Sequence, residues 1–170
     1  MAGRLRELML LRHAKSDWKS DSEDDISRPL SDKGKKHASK LGKWLFQNQL
    51  MPDLILASPA IRAQQTLKRI CNECSASAII VDSLYNADIS QLRQVLADAP
   101  FAERIMLVGH NPGLEELFNL LVSEQQPVEH VQLFPTCAMA HFIMPSDWSH
   151  LEAGDGKLQQ FITPKQLKNA

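Results

Sequence analysis

Apolar and polar positions along this chain fall into blocks with two different periods. Leu8-Met9-Leu10-Leu11 is an unbroken apolar run, the pattern of a strand covered on both faces. Three more short runs follow at Leu54-Ile55-Leu56-Ala57, Ala78-Ile79-Ile80-Val81 and Ile105-Met106-Leu107-Val108. Between them the spacing turns helical. A helix is predicted from about Lys33 to Gln49, capped by Ser31 or Asp32, with Leu41, Trp44 and Leu45 on one face. Ser58 as cap and Pro59 in the first helical position start a second helix reaching about Cys74. Ser90 or Asp88 caps a third, which holds Leu92, Val95 and Leu96 and is closed by Pro100. Asn111 caps a fourth, with Pro112 in its first position and Leu114, Leu117 and Phe118 inside it. A fifth strand is read around Phe134 to Ile143 and a sixth at Lys157 to Ile162, with a polar hairpin loop from Asp147 to Gly156. Strands alternating with helices predict an α/β fold, a three-layer α/β/α sandwich around a mostly parallel central sheet. No repeat or linker interrupts the pattern, so residues 1–170 read as a single domain.

Composition narrows the classes. The hydrophobic share of 44% and the charged share of 23% are those of an ordinary globular chain. A net charge of −1 supplies no general field for nucleic acid or a membrane surface. No apolar stretch approaches the roughly 20 residues of a membrane span, and the run after Arg4 and Arg6 is too short for a leader. Three cysteines are an odd number and suggest no disulfide framework. The expectation is a cytoplasmic protein whose affinity for any anion comes from a local cluster.

Such a cluster lies at the strand ends. The first strand ends in Arg12-His13, Arg62 falls in the first turn after the second, and His110 follows the fourth in Gly109-His110-Asn111-Pro112. Open α/β sheets place their ligand crevice at the carboxyl ends of the strands. Helix amino termini attract anions there, and an arginine fork matches phosphate oxygens. Paired histidines also suit a metal, but a zinc site normally adds a carboxylate or thiolate, and neighbouring arginines repel the cation. The pattern therefore predicts a phosphate pocket with no metal and no cofactor. The acidic run Asp21-Ser22-Glu23-Asp24-Asp25 lacks the spacing of a calcium loop and reads as a solvated loop. Cys71-Asn72-Glu73-Cys74 is a lone Cys-x-x-Cys, structural by default, with a thiol redox protein as the competing use. His37, His130, His141 and His150 read as surface or satisfied core residues.

Leu11-Arg12-His13-Ala14 resembles the signature of the histidine phosphatase superfamily, whose usual form is Arg-His-Gly. Ser58-Pro59 with Arg62-Ala63 and Gln65-Thr66 is similar to its second motif, and Gly109-His110-Asn111-Pro112 to its third. Arg28-Pro29-Leu30-Ser31 and the compact size resemble the SixA-type phosphohistidine phosphatases. The resemblance implies a phosphoglycerate mutase-like fold and a metal-independent phosphatase. His13 would be the nucleophile that carries the phosphoryl group, and Arg12, Arg62 and His110 would hold its equatorial oxygens. The implied partner is a phosphorylated protein, such as a histidine-phosphotransfer domain, or a small phosphorylated metabolite. The alternatives are a small-molecule phosphomonoesterase or phosphosugar mutase of the same fold, and a non-catalytic phosphate-binding module. Two departures stand out. Ala14 replaces glycine, which is tolerable if no positive φ is needed there. The segment Asp82 to Asp88 lacks the glutamate that many members use as proton donor. Asp88 and Asp17 are the candidate substitutes, although each also suits a solvated loop.

Overall fold

Strand Leu8–Leu11 has no accessible surface at all, and neither does the run from Ile105 to Val108. Alternate residues in these strands feed two different cores. In the computed structural model, which describes residues 5–22, 24–72, 74–123 and 134–169, six strands form one sheet. They are β1 (Arg6–Arg12), β2 (Leu54–Ala57), β3 (Ser77–Ile80), β4 (Arg104–Gly109), β5 (Met139–Met144) and β6 (Lys157–Ile162). Their order is β3-β2-β4-β1-β5-β6. The first four strands are mutually parallel, while β5 and β6 run antiparallel to their neighbours. The four long helices are α1 (Asp32–Gln47), α2 (Ile61–Ile70), α3 (Ile89–Asp98) and α4 (Gly113–Val122).

The period-2 pattern sorts the layers. Met9, Leu11, Ile55, Ala57, Met106 and Val108 face Ala38, Leu41 and Leu45 of α1 and Ala63 and Ile70 of α2. Leu8, Leu10, Leu54, Leu56, Ile105 and Leu107 face Leu92, Val95 and Leu96 of α3 and Leu114, Leu117 and Phe118 of α4. Helices on both faces of a mostly parallel sheet make the predicted three layers. No helix among the described residues is long and apolar enough to cross a membrane.

Several boundaries differ from the sequence reading. Ser31 caps α1 as expected, accepting from the Gly34 amide at 3.0 Å. Asp88 caps α3 in a capping box with Gln91. Ser58 does not cap α2: that helix starts at Ile61 after Ala60, and the serine hydroxyl is drawn into the crevice instead. The second helix also stops at Ile70 rather than near Cys74. Asn111 does not cap α4, which begins after Pro112; its side chain bonds the Phe134 carbonyl at 2.9 Å. Strand β5 begins at Met139, because Cys137 has a φ of 60° and turns the chain just before it. Cys71 and Cys74, read from sequence as a lone structural pair outside any disulfide framework, are joined as a disulfide with Cα atoms 4.9 Å apart. His141 is a satisfied core residue, its Nε2 2.8 Å from Glu7. His130 lies outside the described residues.

Candidate active site

The carboxyl ends of β1, β2 and β4 bring His13, Ser58, Arg62 and His110 into one buried cluster. None of the four is more than 6% exposed. The backbone fixes the floor. The His13 amide donates to the Gly109 carbonyl at 3.1 Å, extending the β1–β4 ladder one residue past the strand. The Cys137 amide donates to both the Arg12 and His13 carbonyls at 3.1 Å. The Ala14 amide donates to Thr66 Oγ1 at 3.0 Å, and that hydroxyl donates to the Arg62 carbonyl at 2.7 Å. The loop after His13 is thus tied to the helix that carries Arg62. Ala14 is not among the residues with positive φ, so the missing glycine costs nothing there.

Hydrogen-bond partners assign a proton position to each imidazole. His13 Nδ1 lies 2.7 Å from the Ala14 carbonyl, which can only accept. The proton therefore sits on Nδ1, and Nε2 keeps its lone pair. That lone pair faces Arg62 Nε at 3.4 Å. Ser58 is fully buried, and its hydroxyl oxygen already accepts from the Ala60 amide at 3.2 Å. Its own proton needs an acceptor, and His110 Nε2 is 2.7 Å away. With the serine as donor, the assigned His110 tautomer carries its proton on Nδ1, 3.5 Å from Arg62 Nη2. Two donors side by side, opposite a lone pair, suit an anionic electrophile held between them. Arg12 donates from Nη1 to the Phe134 carbonyl at 3.0 Å. Its Nε is buried with no hydrogen-bond partner among the described residues, a donor left for a ligand.

Burial is the main cause of both histidine pKa shifts. It pushes His13 down to about 3, against a weaker upward pull from the Ala14 carbonyl; His110, Arg62 and Arg12 push the same way as burial. It pushes His110 down to about 4, reinforced by Arg62. Both rings are therefore neutral at pH 7. Stability follows from this. In the unfolded chain these rings titrate near 6.5, so below that pH the unfolded state binds more protons than the folded one. Their contribution is complete above pH 6.5 and is lost as pH falls toward 4 and 3, with a slope of at most about 1.4 kcal/mol per pH unit per histidine. Between pH 7 and 4.5 the melting temperature should therefore fall more steeply for the wild type than for His13→Ala or His110→Ala. Parallel curves would show that these rings are not held neutral.

Sequence reasoning missed two residues here. Asp25 belongs to the acidic run read as a solvated loop, yet a short 3-10 turn at Asp25–Ser27 carries it to Arg62. Its Oδ2 accepts from Arg62 Nη2 at 3.0 Å and from the Tyr85 hydroxyl at 2.5 Å, while Oδ1 accepts from Arg28 Nη1 at 2.6 Å. Tyr85, in the segment searched for a glutamate, sets its ring edge-on to His110 at 5.6 Å. The Tyr85 hydroxyl, together with Arg28 and Arg62 and against a burial effect, holds the Asp25 carboxyl well below the usual range. The same bond raises the Tyr85 pKa. The two acids named from sequence are engaged elsewhere. Asp88 Oδ1 accepts from the Gln91 amide at 2.8 Å, and Asp17 Oδ1 from the Lys19 amide at 2.9 Å. The one sequence signal for Asp25 was its position three residues before Arg28-Pro29-Leu30.

Comparison with known proteins gives the chain its relatives. An uncharacterised protein of Mycobacterium tuberculosis is 30% identical over 164 residues, covering 91% of this chain and all of that one. An uncharacterised chloroplastic protein of Arabidopsis thaliana is 34% identical over 128 residues; the match covers 68% of this chain and 59% of that protein's length. The phosphohistidine phosphatase SixA of Escherichia coli is 27% identical over 170 residues, covering 96% of this chain and 98% of that one. A solved structure of a candidate SixA phosphohistidine phosphatase from Nakamurella multipartitia superposes with a TM-score of 0.84 at 25% identity, covering 96% of this chain and 99% of that one. The model of the histidine phosphatase superfamily (branch 1) matches residues 8–118, the span that holds all three strand-end motifs. The chain belongs to the histidine phosphatase superfamily.

Proposed function

We propose that this protein is a phosphatase acting on protein phosphohistidine, through a covalent intermediate on His13, with residues 1–170 forming one catalytic domain. The observation that carries the reading is the placement of both buried imidazoles against Arg62, with the proton positions assigned above. A lone pair on His13 Nε2 and a proton on His110 Nδ1 face each other across Arg62. In the first step the Nε2 lone pair attacks phosphorus and the bond to the leaving group breaks. The new His13 imidazolium keeps its Nδ1 proton on the Ala14 carbonyl. In the second step water attacks phosphorus, the P–Nε2 bond breaks, and the electron pair returns to Nε2. One water proton stays on the released phosphate and the other passes to solvent. Arg12, Arg62 and His110 hold the equatorial oxygens in both steps. Guanidinium charge does the work here that phosphoryl transfer asks of its surroundings, so neither step needs a metal. The resemblance to Escherichia coli SixA supports the choice of phosphohistidine among phosphorylated substrates.

The test is a panel of a phosphohistidine peptide, an aryl phosphate and a phosphosugar, run with chelator present. Release of phosphate from the peptide, with acid-labile label trapped on His13, is the expected outcome. Transfer of phosphate between sugar positions would support a mutase instead. Binding without any release would make the chain a phosphate-binding module. Arg12→Ala, Arg62→Ala and His110→Ala should each lower turnover by ~10²–10³-fold, the effect of removing one transition-state donor. A variant that loses less than tenfold is not holding an oxygen in flight.

A further inference from the structure

Arg62 has two edges, and the structure uses them differently. The side edge, Nε and Nη2, faces His13 Nε2 at 3.4 Å and His110 Nδ1 at 3.5 Å. The end edge, Nη1 and Nη2, is bonded by Asp25 among the described residues, with the Tyr85 ring 6.0 Å from the guanidinium. The Asp25 backbone carbonyl accepts from Nη1 at 2.6 Å and its Oδ2 accepts from Nη2 at 3.0 Å. Asp25 is itself held from both sides, by Arg28 on Oδ1 and by Tyr85 on Oδ2. Arg28 is anchored in turn by Ser16 Oγ at 2.9 Å and lies 3.6 Å over the Trp18 ring. A chain of fixed groups therefore runs from the loop after β1 to the arginine of α2. We propose that Asp25 is a positioning residue for phosphoryl transfer, clamping the end edge of Arg62 so that its side edge meets the phosphoryl oxygens.

This rests on the phosphatase reading above. It assigns Asp25 no proton, because both carboxylate oxygens are already taken by cations and a hydroxyl. It also predicts an uncommon split. Removing the carboxylate deletes a negative charge beside an anion site, which favours a bound phosphate in its ground state. It also frees a long side chain to leave the in-line geometry, which weakens transition-state binding. A residue that only supported the fold would weaken both.

The experiment compares wild type with Asp25→Ala, which keeps the backbone carbonyl, and Asp25→Asn, which keeps an acceptor for Tyr85. Orthophosphate and vanadate affinities are measured by calorimetry, vanadate standing for the trigonal transition state. Asp25→Ala should weaken vanadate by about tenfold or more while orthophosphate binds as well or better, and Asp25→Asn should fall between. Turnover of an aryl phosphate is then followed through a double-mutant cycle. Asp25→Ala should add no loss in the Arg62→Ala background, because it acts only through that arginine. An unchanged vanadate affinity overturns the proposal. So does an equal loss in both backgrounds, which would mean that Asp25 acts on the substrate directly. Asp25→Ala leaves the buried Arg62 without its carboxylate and should melt below wild type, by an amount limited because the Asp25 side chain is 44% exposed; if it does not fold, the asparagine variant decides alone. Failure of the phosphatase reading shows separately, as wild-type protein that releases no phosphate from a phosphohistidine peptide.

Discussion

Exchange of His13 for alanine should abolish turnover while leaving a folded protein at pH 7. Losing a nucleophile removes the covalent route itself rather than one stabilising contact, and such losses run to about 10⁴-fold or more. The remaining groups cannot take over. His110 Nε2 is committed to the Ser58 hydroxyl, and its pocket-facing nitrogen carries a proton. The fold should survive because the His13 side-chain bond is local, to the carbonyl of the next residue. The strand that precedes it is held by its own ladders to β4 and β5. Loss of one such bond leaves an acceptor unpaired at a cost of about 1–3 kcal/mol. Circular dichroism and a melting curve at pH 7 separate the two effects. A purified, folded His13→Ala that still turns over at more than a trace would mean that the nucleophile is another group. Orthophosphate affinity should fall little in the same variant, since Arg12, Arg62 and His110 remain.

The sheet and the four motif residues were legible because both rest on short-range pattern. Alternation along Leu8–Leu11 and Ile105–Val108 divides the side chains between two cores, so a buried strand announces itself in a few residues. Each strand's polar stop then marks the edge where Arg12, His13, Arg62 and His110 meet. What stayed hidden rests on contacts between distant segments. Asp25 reaches Arg62 across 37 positions and Tyr85 across 60, and the composition of an acidic run does not tell which residue is drawn inward. Ser58 shows the opposite failure. Local rules make it a helix cap, but a histidine 52 positions away needs its proton, and that tertiary demand wins. The family resemblance pointed to His13 as the proposed nucleophile, yet only the structure identified the Ala14 carbonyl that sets its tautomer.

The leaving group should decide which substrates are turned over. An alkyl phosphate such as phosphoserine departs as an alkoxide and needs a proton in the transition state, help worth ~10²–10⁴-fold when a side chain supplies it. The acids and the hydroxyl that the sequence and the structure single out offer little of the kind. Asp25 is held ionised by its hydroxyl and guanidinium partners, and the Tyr85 hydroxyl is already committed as a hydrogen-bond donor to Asp25. Asp88 and Asp17 are bonded to the amides of Gln91 and Lys19. Phosphohistidine differs in kind. Its distal nitrogen can take a proton from solvent near neutral pH, and the imidazole then leaves neutral with that proton already in place. Aryl phosphates fall between, because a phenolate carries its own charge. The expected order of turnover is phosphohistidine, then aryl phosphate, then alkyl phosphate. The step between the first and the last should approach the full range of a missing acid. Rates for the three classes, measured at one pH between 6 and 8, test this directly. Phosphoserine hydrolysed as fast as phosphohistidine would reveal a working proton donor. Asp17→Asn, Asp88→Asn and Tyr85→Phe would then be compared, and the variant that loses only the alkyl activity would identify it.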